Sequence, residues 1–256
     1  MEMLKLQETE DIAHVTLYNI KEFNTLSLQL MQELNELLND IASERSVKVV
    51  VIQGSEKVFS AGHSLREIKV KNQQEVHELF KVCEMMMKTI REIPQIVISK
   101  VQGVAVAAGC QLVAASDMAI SSDDARFATP GINSGLFCST PAVFLSRNIG
   151  RKKAAELLFT GNFMSAEEAL QHGLVNKVVP ANQLDEATEN LVKDITKQSL
   201  NVIEIGKRQF YQQLNMDDFQ ALNYSTEVIV SNTKHTDAVE GIDAFFEKRT
   251  PVWSDN

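Results

Sequence analysis

Cysteine is scarce in this 256-residue chain: Cys83, Cys110 and Cys138 are all there are. Three at wide spacing form neither a disulfide framework nor a CxxC metal or redox pair, so a reducing compartment is expected. Positive charge is also in short supply. Twenty-five Lys and Arg face 34 Asp and Glu, the formal charge is −9, and the longest basic cluster is Arg151-Lys152-Lys153. That balance argues against a nucleic-acid partner. Long apolar runs are missing too. The longest such stretch, residues 96–108, is broken by Ser99, Lys100, Gln102 and Gly103 and falls short of the roughly 20 residues of a membrane helix. No membrane partner is expected. Residues 1–11 hold four acidic side chains and no sustained apolar or Arg-rich segment, which reads as neither a secretory signal nor a transit peptide. The expected location is the cytoplasm, or an organelle matrix if a transit peptide has been removed.

Several familiar motifs are absent. No GxxxxGK[ST] or GxGxxG sequence provides a phosphate-binding loop, and no GxSxG elbow surrounds any serine, which argues against P-loop, dinucleotide-binding and serine-hydrolase sites. His14, His63, His77, His172 and His235 show no metal-ligand spacing, so no metal is expected. An anionic small molecule would have to be held on this acidic chain by backbone N–H groups or a few placed cations.

What is present is ordinary globular patterning, with 44% apolar and 23% charged residues. Residues 12–18 alternate as a strand, and 27–42 carry Leu30, Leu34, Leu37, Leu38 and Ile41 at the helical period. The β-branched run 47–52 suits a buried strand. It is followed by a loop over 59–64 and by a helix over 72–91 that Pro94 stops. Residues 95–101 read as a strand, 103–109 as a turn-prone stretch of small residues and 110–115 as a helix. Short strands are expected at 117–121, 126–127 and 174–179. Ser139 or Thr140, with Pro141 behind it, is the expected cap of a helix reaching about Asn148. The capping-box spacing Ser165 to Glu168 opens a helix that ends near Gly173. Four helical segments, 184–198, 201–214, 217–231 and 236–248, complete the chain. The expected organisation is an α/β core over 1–182 and a helical region over 183–256.

Two glycine-bearing loops follow buried strands: Phe59-Ser-Ala-Gly-His63 and Gly103-Val-Ala-Val-Ala-Ala-Gly-Cys-Gln111. Each can aim a backbone N–H outward, and the second opens a helix whose dipole adds to the field. Two such donors meeting on one carbonyl oxygen would form an oxyanion hole.

These loops, in this order, resemble the crotonase, or enoyl-CoA hydratase/isomerase, superfamily. The resemblance extends over nearly the whole chain through Asn24-Thr-Leu-Ser27, AGHSL, AAGCQL with Ser116-Asp117, FATPGI, Leu158-Phe-Thr-Gly161, Ser165 to Val175, and Phe246-Glu-Lys-Arg249 followed by Pro251-Val-Trp253. It implies an α/β fold, a crotonase (ClpP-like) superhelix of ββα units with a C-terminal helical trimerisation region. The implied assembly is a homotrimer, or a hexamer formed as a dimer of trimers. The implied ligand is an acyl-CoA thioester, with no cofactor beyond its CoA moiety. Carried over by position, the backbone N–H groups of His63 and Ala108 are the oxyanion donors. His63, Ser64, Leu65 and Arg66 line the thioester and pantetheine, and Lys248 and Arg249, with Arg66, are candidates for the CoA phosphates. The bland reading of Lys248 and Arg249, cations complementing a helix C-terminus, has equal weight.

Hydratases of this superfamily resemble one another in two glutamates that handle water and the α-proton. At those positions this chain has Gln111 and Gly131. Neither can be a general acid or base, a loss of about 10²- to 10⁴-fold per function, although Gln111 could still orient a water. The same departures mark the branch that AAGCQL, FATPG, GLFCSTP and PVW resemble most. Two readings stay open: an acyl-CoA enzyme with enolate chemistry but doubtful hydratase activity, such as an isomerase or decarboxylase using another acid, and a noncatalytic CoA-thioester-binding or assembly protein.

Overall fold

The chain opens with a hairpin in which β1 (Leu4–Thr9) pairs antiparallel with β2 (Ile12–Leu17), Leu4 opposite Leu17. The computed structural model describes residues 2–9 and 11–254. Sequence reading missed β1, since its exposed Lys5, Gln7 and Glu8 break the apolar pattern; such polar residues suit a sheet edge. Helix α1 (Leu28–Ser43) starts where Ser27 accepts a hydrogen bond from the Leu30 N–H.

Three ββα units follow. The first comprises β3 (Val49–Gln53), β4 (Val58–Ser60) and two helices, α2 (Leu65–Val70) and α3 (Gln73–Glu92). The second comprises β5 (Ile96–Val101), β6 (Val104–Val106) and α4 (Ala108–Ala115), and the third β7 (Met118–Ser122), β8 (Arg126–Ala128) and α5 (Ser139–Asn148). After α6 (Arg151–Thr160) come β9 (Met164–Ser165), α7 (Ala166–His172) and β10 (Lys177–Val179). The first strand of each unit joins a six-stranded sheet, β1-β2-β3-β5-β7-β10, which is parallel from β2 onward; the second joins a small sheet, β4-β6-β8-β9. The result is the α/β superhelix of ββα units.

The unbroken apolar run in β3 reflects burial on both faces. Val50 and Ile52 join the main core with α1, α3 and α4, while Val49 and Val51, with Ile98, pack on Val192 of α8 (Leu184–Thr196). The chain ends with α9 (Leu200–Gln213), α10 (Asp218–Asn232) and α11 (Thr236–Glu247). Among the described residues, no helix is long and apolar enough to cross a membrane.

The structure departs from the sequence reading in several places. The turn-prone stretch contains β6, because Ala105 is small enough to be enclosed there and its backbone pairs with β4 and β8. Helix α2 has six residues, too few for a periodicity signal. Helix α6 was not anticipated; it runs between Gly150 and a left-handed Gly161. Cys138, not Ser139 or Thr140, is the N-cap of α5, it makes no side-chain cap bond, and Pro141 is the third helical residue. By contrast, Ser165 and Glu168 form the full capping box, and Gly173 closes α7 at φ +83°.

Candidate functional site

The two glycine loops touch. At Gly62 (φ +78°) a Cβ would lie 2.8 Å from the Ala107 Cβ and 2.9 Å from the Ala108 nitrogen. Ala107 itself sits at φ +50°, ψ −120°, which is costly for a residue with a side chain. Its own N–H is satisfied by the Ala128 carbonyl at 2.9 Å. The next peptide places the Ala108 N–H at the open N-terminus of α4. Gly109 then lies flat on the end of β4, where a Cβ would meet the Ser60 oxygen at 2.3 Å. Among the described residues, neither the His63 N–H nor the Ala108 N–H has a protein acceptor.

The segment Asn24-Thr-Leu-Ser27 braces the first loop. Asn24 is fully buried, has φ +51°, and donates from Nδ2 to the carbonyls of Val58 (3.1 Å) and Phe59 (3.3 Å). The Ser60 hydroxyl donates to the Asn24 oxygen (2.8 Å) and accepts from the Gly62 N–H (3.2 Å). The Leu26 N–H donates to the Gly62 oxygen at 2.8 Å. Asn24 is therefore a positioning residue that the reading of chemistry-bearing side chains passed over. Its signals in the sequence were its place in the Asn24-Thr-Leu-Ser27 segment and the tolerance of Asn for a left-handed backbone.

His63 Nδ1 is 3.2 Å from the Leu26 carbonyl, a hydrogen bond that requires the proton on Nδ1 and leaves Nε2 an acceptor. Nε2 is buried without a partner. Burial lowers the imidazole pKa, opposed by the Leu26 bond and by Glu67, and the ring edge packs on Phe80 at 4.9 Å. Ser64 caps α2 by accepting from the Glu67 N–H at 3.3 Å. Leu65 and Arg66 are exposed on the first turn.

Gln111 is the fourth residue of α4 and 2% exposed. Its Oε1 accepts a 3.0 Å bond from the Thr140 hydroxyl. Gly131 lies in the 3-10 turn Pro130–Ser134. A Cβ there would stand 2.3 Å from the Leu136 oxygen and 2.8 Å from Cys138 Sγ, and the Leu136 N–H already donates to the Gly131 oxygen at 2.9 Å. Backbone fills the space that a side chain at 131 would enter. The thiols are no more reactive: burial pushes Cys83 and Cys110 up to about 12 and raises Cys138, keeping them protonated.

Lys248 and Arg249 lie at the C-terminal end of α11. Arg249 makes bonds of 2.6 and 2.9 Å to Glu240 and of 2.5 Å to Glu247. Lys248 ends α11 at φ +58° and has no carboxylate partner among the described residues. Nor do three His, Cys, Asp or Glu side chains cluster as metal ligands among the described residues. Gln111 and Thr140 border a cavity of about 1190 Å³ walled by α3, α5 and α9.

The sequence profile of the Enoyl-CoA hydratase/isomerase family matches residues 7–256. The chain is 44% identical over 250 residues to enoyl-CoA hydratase domain-containing protein 3, mitochondrial, from Rattus norvegicus, covering 97% of this chain and 83% of the rat protein. The Homo sapiens counterpart is also 44% identical, with 97% and 82% covered. In three dimensions the chain is similar to the crystal structure of the human domain-containing protein 3, with a TM-score of 0.95, 43% identity and coverage of 98% and 100%. An enoyl-CoA hydratase from Mycobacterium smegmatis gives a TM-score of 0.95, 41% identity and 98% coverage of each chain.

Proposed function

The chain belongs to the enoyl-CoA hydratase/isomerase family, and from that premise we propose that it binds an acyl-CoA thioester and stabilises its enolate with the backbone N–H groups of His63 and Ala108. One observation carries this reading: Gly62 lies so close that its Cβ position is 2.9 Å from the Ala108 nitrogen, while neither flanking donor has a protein acceptor among the described residues. Preorganised donors of this kind are worth roughly 2.7–4 kcal/mol each on a developing oxyanion. The thioester portion runs along His63, Ser64, Leu65 and Arg66. Of the cations considered for the CoA phosphates, Arg249 is held by Glu240 and Glu247, so Arg66 and Lys248 are the better suited. No cofactor beyond the CoA moiety is needed.

The chemistry is enolate formation without the usual hydration. Gln111 has no useful proton equilibrium and Gly131 no side chain, so water addition lacks its acid and base. Decarboxylation makes an enolate with no proton to remove, and it fits the residues present better than hydration does. The noncatalytic reading is favoured by one feature, the closure of the Gly131 position by the Leu136 carbonyl.

The homotrimer or hexamer that the family resemblance implies has support in the C-terminal helices. Phe219, Leu222, Ile229 and Val230 of α10, with Phe245 and Phe246 of α11, are 57–79% exposed in the single chain, and α10 has no buried residue among those described. Of the two locations considered, the mitochondrial names of the rat and human relatives favour an organelle matrix.

The test is a panel of saturated, unsaturated and malonyl-type acyl-CoAs, read by thermal shift and product mass for the full chain and for Ala108→Pro, which deletes the donor at the first helical residue, where no intrahelical hydrogen bond is lost. Selective stabilisation by thioesters, lost in the variant, is the expected result. Equal binding by both proteins would show the oxyanion site to be misplaced. Binding with no product across the panel would leave the noncatalytic reading in its place.

A further inference from the structure

The cavity bordered by Gln111 carries a charge that the two loops do not explain. Its carboxylates are all answered: Glu84 by Lys81 at 2.7 Å, Glu92 by Lys88 at 3.5 Å, and Asp117 by Lys207 at 2.6 Å and the Tyr211 hydroxyl at 2.7 Å. Arg208 is paired with Glu204 at 3.1 Å. Two guanidinium groups remain. Arg91 donates to the carbonyls of Ala115 (3.4 Å) and Ala114 (3.2 Å) and lies between the rings of Phe144 and Tyr211. Arg147 donates only to the Val143 carbonyl at 3.0 Å. Neither has a carboxylate ion-pair partner among the described residues, in a chain with nine more acids than bases. Burial lowers the Arg91 pKa, opposed by Tyr211 and Asp117, and the positive charge of Arg147 lowers it further.

Gln111 sets the polarity at the inner end. Thr140 occupies its Oε1, so the amide N–H₂ is left to donate, and it has no acceptor among the described residues. Gln111 follows Ala108 by three residues on one helix face, with about 5–6 Å between such Cβ atoms. Ala114 and Ala115, whose carbonyls hold Arg91, lie about 10 Å along the helix from Ala108 at 1.5 Å per residue. The wall also includes Met87, Val143 and Leu214, surface suited to methylene groups.

We propose that this cavity receives a carboxylate carried at the far end of the acyl chain, making the protein a binder of medium-length dicarboxylic acyl-CoA thioesters. The inference rests on the thioester reading above. It adds that a thioester held at Ala108 extends its chain past Gln111, with the terminal carboxylate at Arg147 and the free edge of Arg91.

The test compares suberyl-CoA with octanoyl-CoA, which has the same number of carbons, by calorimetry on the full chain. Tighter binding of suberyl-CoA by about tenfold is expected, the scale of a charge-assisted contact. That ratio should fall severalfold in Arg147→Gln, be largely rescued in Arg147→Lys, and shrink with added salt. Arg147 is exposed, so these variants should fold. A merely structural effect would weaken both thioesters in proportion and leave the ratio intact, which would overturn the proposal. Equal affinities in the unaltered protein would overturn the carboxylate subsite alone. Failure of both thioesters to bind would overturn the subsite and the thioester reading together.

Discussion

Lys207 Nζ lies 2.6 Å from Asp117 Oδ2, and both side chains are almost wholly buried. The ammonium also donates to the carbonyls of Ile90 (2.8 Å) and Gln95 (2.7 Å), while the carboxylate accepts from the Val97 N–H and the Tyr211 hydroxyl, both at 2.7 Å. This pair fastens α9 to α3 and to the large sheet. Removing one partner strands the other charge in the interior. Lys207→Met should therefore destabilise the protein by about 3–5 kcal/mol. Urea unfolding monitored by circular dichroism would measure it, and the double variant Lys207→Met, Asp117→Leu should recover part of the loss. A single variant as stable as the parent would contradict the assignment.

A second prediction concerns the contact between the two glycine loops. Gly62→Ala combines a left-handed backbone, φ +78°, with a methyl group 2.9 Å from the Ala108 nitrogen. It should cost about 1–3 kcal/mol and reduce thioester binding, because the new methyl displaces the donor. Ala107→Gly should do the opposite to the strain: with φ +50° already imposed, glycine is expected to raise stability by about 1 kcal/mol and to retain binding. Thermal unfolding and a thioester titration on the two variants read both effects.

Positions 111 and 131 are not equivalent targets for restoring hydration. Gln111→Glu can keep the Thr140 hydroxyl as donor and should fold normally. Gly131→Glu must push aside the Leu136 carbonyl, 2.3 Å from the new Cβ, and should lower the melting temperature. Neither change, nor both together, is expected to produce crotonyl-CoA hydration, which an absorbance assay follows directly. Rapid hydration by the double variant would show that the 130–138 turn yields more easily than its packing indicates.

Acid should expose the α6–α7 link. Glu168 accepts from the Ser165 N–H and hydroxyl and from Lys153 at 2.9 Å, and these contacts, the Ser165 backbone bond foremost, hold its carboxyl down at about 2. A carboxylate depressed in the folded state stabilises above its unfolded pKa, and that contribution is lost as pH falls through the folded value. Glu168→Gln should thus be less stable than the parent near neutrality, with the gap closing between the ordinary value of 4.5 and about 2. Denaturation midpoints measured across that window provide the check.

The elements that local chemistry encodes were legible without coordinates. The Ser165 to Glu168 capping box, the closing Gly173, the periodicity of α1 and the β-branched run of β3 depend on residues within a few positions of one another, so spacing alone reveals them. The same holds for the two glycine loops as candidate donors, since a strand, a glycine and a helix start are read in one window. What spacing could not reveal depends on which loop lies against which. Gly62 meets Ala108 because β4 and β6 are neighbours in the small sheet, Asn24 braces a loop more than thirty residues away, and the Leu136 carbonyl closes the place where Gly131 would carry a side chain. That Arg91 and Arg147 form no ion pair with a carboxylate among the described residues is likewise invisible in a composition that is acidic overall, because pairing between charges on separate helices is decided by packing. The sequence by itself determined the longer, locally encoded elements and the donors available to them; only the tertiary structure decided which donors face one space, because those contacts join residues that no local pattern relates.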